Sequence, residues 1–372
     1  MNKHVKNLIK AASFTLLLVG ILTPIAHFLF IPLDSSVTSY GSFYKEKEQS
    51  LDLVMVGSST VRDGFIPLEA YHDYGITAHS VDSSPTHLEV IKIAIDEIER
   101  TQSPKVVYVD LNGLNNQTRD SAQSFVQDYF DCMPDGEAKD AVKARLAAEG
   151  INLTTKSDWE MFAHHNGFRQ QIYWESFVYN HQMWTKGYYP NSTVTKGMEI
   201  HEVAKENPSD TPEISQDGKK YLKDILEIAS KYKDKTHFIF GQMPRYLQDD
   251  IVSFDLYQVH DPLTAFYMVR SAKKQVEEAG FEFVEWCDPA FLAKTLKIDP
   301  NLDQFDAEHL NHRGAKKFTA YFSSYLMDNY LRDMPKFDNG KIKHDNAVVE
   351  DFDEAYEKYR EIVGKVETKL GM

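Results

Sequence analysis

Hydrophobic residues fall into three kinds of run along this chain. The first is continuous: the 22 residues from Ala11 to Pro32 include no Asp, Glu, Lys or Arg, and His27 is the only ionisable side chain. As a helix this run would reach about 33 Å, enough to cross a hydrocarbon core of roughly 30 Å. The second kind is short, rich in Val and Ile, and bounded by turn residues. Leu51-Asp52-Leu53-Val54-Met55-Val56 ends at Gly57, Ile76 to Val81 follows, and Lys105 to Asn112 is the clearest strand. Thr236 to Gly241 and Phe281 to Trp286 repeat the pattern. The third kind is amphipathic, with Leu88, Ile91, Ile95 and Ile98 at helical spacing inside His87 to Arg100. Lys220 to Tyr232, Thr264 to Ala279 and Gly314 to Tyr330 also read as helices. A last stripe runs through Val348, Phe352, Ala355, Tyr359, Ile362, Val366 and Leu370. Strand, helix and strand in that order predict right-handed βαβ units. The expected class is α/β: a three-layer α/β/α domain around a central parallel sheet of about five strands, preceded by one transmembrane helix.

Boundaries follow from these runs. Residues 1–32 read as a cytoplasmic tip and transmembrane signal anchor, and 33–50 as a polar spacer. Residues 51–335 form the α/β domain with an insertion at about 115–215, and 336–372 a charged tail with an amphipathic helix. Lys3, Lys6 and Lys10 precede the apolar run, so the positive-inside rule puts the N-terminus in the cytoplasm and the main domain outside the cell membrane. The rival reading is a cleaved signal peptide. The run is long for one, and Pro24-Ile25-Ala26 is a poor cleavage site. Aromatic residues crowd Phe168 to Tyr179 in the insertion, either to bind sugars or, the commoner role, to pack it on the domain. The tail helix packs back on the domain or against a partner.

Composition narrows the partners. The balance of 41 Lys+Arg against 56 Asp+Glu gives a net charge of −15, which disfavours nucleic acid. Cys132 and Cys287 are the only cysteines and could pair, though their spacing does not demand it. Neither they nor His164, His165 and His181 make a metal-ligand pattern, so no metal or other cofactor is expected. Sequons at Asn116, Asn152 and Asn191 matter only in a host that glycosylates secreted proteins.

Two segments carry candidate chemistry. Gly57-Ser58-Ser59-Thr60 stands where the first strand ends, so a serine there can project from the C-terminal edge of the sheet, where open parallel sheets bind ligands. Such residues also commonly cap a helix. Asp306-Ala307-Glu308-His309-Leu310-Asn311, just before the closing helix, puts a carboxylate and an imidazole on one tight segment. These are the orienter and base of a nucleophilic triad. A third loop, Gln242-Met243-Pro244-Arg245-Tyr246, follows the strand 236–241. Its Arg245 either faces substrate, to grip a phosphate or carboxylate, or is simply solvated.

Taken together, the Gly-Ser-Ser turn near the start and the D-x-x-H-L-N before the last helix resemble the SGNH (GDSL-like) hydrolase family, over about 51–333 apart from the insertion. The resemblance implies a flavodoxin-like SGNH domain in which Ser59 is the nucleophile, His309 the base and Asp306 its orienter. It also implies an oxyanion hole lined by Asn112, with Asn115 a more distant alternative. The family's second-block Gly has no counterpart in Ser80 to Pro85, and a backbone N–H of Ser83 or Ser84 stands in for it. Position 58 is Ser where the family usually has Asp. Gly-Ser-Ser fits the membrane-anchored branch, which includes the D-alanyl transfer protein of teichoic-acid modification and SGNH partners of membrane-bound O-acyltransferases. The implied function is an extracytoplasmic serine esterase or O-acyltransferase acting on acylated cell-envelope glycans or polymers, with a membrane-bound O-acyltransferase as a candidate partner. The missing Gly and the amphipathic tail motivate the alternative of a catalytically weak or inactive accessory protein in envelope polymer assembly.

Overall fold

The computed structural model describes residues 3–29, 35–82, 87–115, 119–153, 184–194, 196–197, 200–248, 261–337 and 339–372. The aromatic segment Phe168 to Tyr179 and the histidines at 164, 165 and 181 lie outside these.

The fold is α/β. Strands β1 (Leu53–Gly57), β2 (Ala78–Asp82), β3 (Val106–Asp110), β4 (His237–Gln242) and β5 (Glu282–Glu285) form one all-parallel sheet in the order β2-β1-β3-β4-β5. Side chains alternate between its two faces, as a pleated strand requires. Val54, Val56, Val107, Val109 and Phe240 face one layer, where Ile91 and Ile95 of α5 (Leu88–Thr101) meet Leu222 and Ile225 of α8 (Gln216–Tyr232). Leu53, Met55, Val106, Tyr108 and Ile239 face the other, against Trp286 and the Phe318 and Phe322 of α11 (His312–Asn329). With both faces covered, the central strands are apolar throughout, which is why they read as continuous runs.

The other helices longer than one turn and a half are α1 (Lys3–Leu29), α2 (Ser35–Phe43), α3 (Ser59–Gly64), α4 (Pro67–Tyr74), α6 (Arg119–Cys132), α7 (Glu137–Ala148), α9 (Pro262–Arg270), α10 (Lys273–Glu278) and α12 (Asn346–Leu370), with short helical turns over Pro289–Phe291 and Leu292–Leu296. The stretch Lys3–Leu22 of α1 is long and apolar enough to span a membrane. Its Leu8, Phe14, Leu16 and Leu17 are all more than half exposed, so the protein itself offers them no core. Within the stretch expected as a spacer, α2 packs on β2 and α6 with Tyr40 and Phe43 buried. The last helix, α12, packs back on the domain, burying Phe352, Ala355, Tyr359 and Val363, and Tyr359 donates to Glu69 Oε1 at 2.7 Å.

One expected helix is divided. Thr264 to Ala279 breaks into α9 and α10 at Ser271, whose hydroxyl takes the Met268 carbonyl and competes with the helical ladder. Both cysteines are free, Cys287 being buried with its thiol donating to the Met243 carbonyl at 3.3 Å.

Strand order reverses between β1 and β3: β2 lies to one side of β1, and β3 and its successors to the other. Such a switch point opens a crevice at the C-terminal ends of the two strands. Gly57 closes β1 there, and a Cβ on it would stand 2.4 Å from the Asp110 Cβ and 2.6 Å from Val61 Cγ2. Gly57→Ala should therefore push β1 away from β3 and destabilise the fold by about 1–3 kcal/mol. A urea midpoint equal to wild type would count against that close approach.

Candidate active site

The site is built on the ends of β1 and β3. Ser58 sits in an extended conformation as the N-cap of α3, and Ser59 is the first residue of that helix. The three hydroxyls of the turn divide their work. Ser58 Oγ and Thr60 Oγ1 both donate to Asp110 Oδ2 at 2.9 Å, at the end of β3. Capping thus falls to Ser58, which accepts from Thr60 N, while the Ser59 Oγ points elsewhere and lies 2.6 Å from His309 Nε2.

His309 is held by its own loop. Asp306 Oδ1 accepts the backbone N–H groups of Glu308 and His309, each at 2.8 Å, so the carboxylate closes a local turn that aims the imidazole. The same carboxylate meets His309 Nδ1 at 2.8 and 2.9 Å. Phe305 stacks on the imidazole, its ring centroid 4.9 Å from that of His309 and the two planes nearly parallel at 12°. The Asn that ends the motif has a structural part: Asn311 caps α11 by accepting from Arg313 N and Gly314 N, and donates to the Leu302 carbonyl at 2.7 Å.

Charge fixes the tautomer. Burial pulls the Asp306 pKa up, but the His309 hydrogen bond and charge, with the two amides, hold it below the ordinary carboxylate range. An ionised Asp306 only accepts, so His309 carries its hydrogen on Nδ1 and Nε2 is left to accept from Ser59. Burial would lower the His309 pKa, yet the hydrogen bond to Asp306 and that carboxylate's charge outweigh it and raise the value.

Asn112 follows β3 at the head of a 3-10 turn, Asn112–Asn115. Its backbone N–H donates to Asp110 Oδ1 at 3.2 Å, so it hangs on the same carboxylate that grips Ser58 and Thr60. The Asn112 Oδ1 accepts twice, from Gln242 Nε2 at 3.2 Å and Arg245 Nη2 at 3.1 Å. Two donors on the oxygen set the amide's orientation and leave Nδ2 as a donor. Arg245 is 1% exposed, so it is neither a solvated loop arginine nor on the surface, and it acts on Asn112 from behind. Its Nε and Nη1 have no hydrogen-bond partner among the described residues. Burial raises the Asp110 pKa, ahead of the opposing Arg245 charge and the hydroxyl donors.

The sequence reading thus named Ser59, His309, Asp306 and Asn112, and the fold brings the first three into one hydrogen-bonded chain. Ser83 and Ser84 lie outside the described residues, and the Asn115 side chain is not among those described. Asp110, Gln242 and the helper hydroxyls Ser58 and Thr60 were missed. An acid closing an otherwise apolar strand, two residues before Asn112, was the available signal for Asp110. Among the described residues, Glu69, His72 and Asp73 offer ligand atoms within 4.8 Å of one another. Glu69 there accepts from Tyr359, and His72 Nδ1 is paired with Asp73 at 2.8 Å.

No protein-family model matches the sequence, and no curated protein matches it.

The Asp306–His309 pair should make stability depend on pH. The raised His309 pKa contributes stability present below about pH 6.5 and lost as pH rises through the folded value. The lowered Asp306 pKa contributes stability present above about pH 4 and lost as pH falls through its folded value. The gap in urea midpoint between wild type and Asp306→Asn should then be widest between about pH 4 and 6.5. A gap that stays constant up to pH 9 would mean that Asp306 does not favour the charged form of His309.

Proposed function

We propose that this chain is a membrane-anchored, extracytoplasmic serine esterase or O-acyltransferase of the SGNH type, acting on acyl groups of cell-envelope glycans or polymers. The observation that carries the reading is the continuous chain of contacts from Ser59 Oγ to His309 Nε2 at 2.6 Å and from His309 Nδ1 to Asp306 at 2.8 Å. The Gly-Ser-Ser turn, the D-x-x-H-L-N motif and the parallel α/β sheet support membership of the SGNH family. The apolar α1 with Lys3, Lys6 and Lys10 before it supports an anchor with the main domain outside.

In this mechanism Ser59 Oγ attacks the ester carbonyl carbon while His309 Nε2 takes the hydroxyl proton. Asp306 stabilises the imidazolium without itself being protonated. The carbonyl oxygen becomes an oxyanion, met by Asn112 Nδ2 and by the backbone N–H of Ser59, which as the first residue of α3 has no partner within its helix. Collapse breaks the bond to the leaving alcohol, to which His309 returns the proton. Water or a glycan hydroxyl then attacks the acyl-Ser59 ester, giving up its proton to His309; the bond from Ser59 Oγ to the acyl carbon breaks and His309 returns that proton to Oγ, releasing the acid or the new ester. Hydrolysis and transfer share every residue and differ in which nucleophile reaches the acyl-enzyme. A membrane-bound O-acyltransferase could deliver the acyl group to this site.

Ser59→Ala should abolish both turnover of a short aryl ester and labelling by an alkyl fluorophosphonate. Asn112→Ala should lower kcat by about 10²- to 10³-fold with KM little changed. Undiminished turnover or labelling in Ser59→Ala would sink the triad and favour the accessory reading. In Asp306→Asn, kcat should fall on the order of 10⁴-fold. The acid limb of its pH–rate profile should move to lower pH, because the charge that raises the His309 pKa is gone.

A further inference from the structure

The chain leaving α1 enters the domain from one particular end of the sheet. Ser39 Oγ of α2 donates to the Ser80 carbonyl at 2.8 Å and accepts from Asp82 N at 3.0 Å. Three residues on, Ser42 Oγ lies 3.0 Å from His79 Nε2. Glu46 comes within 3.9 Å of the same nitrogen. Later still, Gln49 N donates to the Thr101 carbonyl at 3.0 Å and Ser50 N to Gln102 Oε1 at 3.1 Å, where α5 turns into β3. Each step of the chain forward is a step back along the sheet. Residues 39–50 therefore run antiparallel to β2, from its C-terminal end to the opposite edge.

Asp82 pairs in register with Gly57, two residues before Ser59. The start of α2 at Ser35 lies a further 6 Å or so along the helix axis from Ser39. It consequently emerges at the edge that carries Ser59 and His309. The path is firmly fixed: Tyr40 and Phe43 are buried, and Lys186 ties Glu46 at 3.0 Å to Asp351 of α12 at 2.7 Å. Only residues 30–34 separate Leu29 from Ser35, and a fully extended stretch of that length spans about 20 Å.

Resting on the readings of α1 as anchor and Ser59 as nucleophile, we infer that the catalytic edge of the sheet is turned toward the membrane surface and that its substrate is an acyl ester carried on a lipid of the bilayer. A tether this short on the catalytic side keeps the site within a few nanometres of the lipid headgroups. Membrane-borne esters thereby gain a high effective concentration, which an ester far out in the envelope does not.

The test uses full-length protein in phospholipid vesicles. Turnover of a fluorogenic short-chain ester attached to a lipid headgroup is compared with turnover of the same ester free in solution. Inserting a rigid (EAAAK)-type helix of roughly 30 Å between Pro32 and Leu33 should lower turnover of the lipid-borne ester at least 10-fold and leave the soluble one unchanged. Equal turnover of the lipid-borne ester with and without the insert would overturn the assignment of substrate, as would an ester presented by a membrane protein but refused on a lipid. Orientation is read without any chemistry. In a Cys132→Ser background, a fluorophore on Leu302→Cys, beside Asn311 at the catalytic edge, should transfer energy to headgroup-labelled lipid more strongly than one on Lys235→Cys, beside the start of β4. Equal or reversed transfer overturns the orientation. Loss of both ester activities with the expected transfer pattern instead removes the triad reading and leaves the orientation standing.

Discussion

The buried carboxylate of Asp110 is the constraint on which the site depends. A carboxylate taken out of water is costly unless its oxygens are hydrogen-bonded, and here the donors are Ser58, Thr60 and the Asn112 backbone. Satisfying that one group fixes the turn before Ser59 and the turn after β3 relative to each other. Ser59 and Asn112 are thereby placed together by a buried residue that stands between them. Gly57 makes this possible, since any side chain there would occupy the space through which Asp110 reaches.

A second layer of support lies behind the first. Arg245 and Gln242, from the end of β4 and the loop after it, both donate to Asn112 Oδ1. An amide with its oxygen doubly engaged cannot exchange ends, so the direction of Nδ2 is fixed. The cation at the carbonyl end also polarises the amide toward a stronger N–H donor. On the opposite side, the Phe305 ring and the Asp306 turn leave the imidazole little room to rotate. Both side chains are thus held in one orientation by packing and hydrogen bonds behind them.

Much of this was legible in the sequence where the information is local. Both faces of the sheet are buried, so β1 and β3 announce themselves as uninterrupted apolar runs, and the Asp306-to-His309 spacing encodes a turn that four residues can close unaided. What escaped depends on contacts distant along the chain. Nothing near Arg245 says that it will be covered and drawn onto Asn112, 133 residues away. Nor does the polar stretch 33–50 declare that Ser39 will bond across to Ser80 and Asp82. Ser271 is similar: the pattern stays amphipathic through it, yet its hydroxyl and its amide both turn to the Met268 carbonyl where the helix divides.

The position of α2 has another consequence. As the outermost strand, β2 presents an unpaired rim of amide and carbonyl groups, the feature by which parallel sheets recruit foreign strands. Ser39 engages the Ser80 carbonyl and the Asp82 amide on that rim, and Lys186 contributes its carbonyl to Ser80 N. The stretch that follows α1 therefore doubles as a guard on the sheet's open flank. A fragment trimmed back to the first strand would keep Ser59, His309 and Asp306 and leave that flank uncovered.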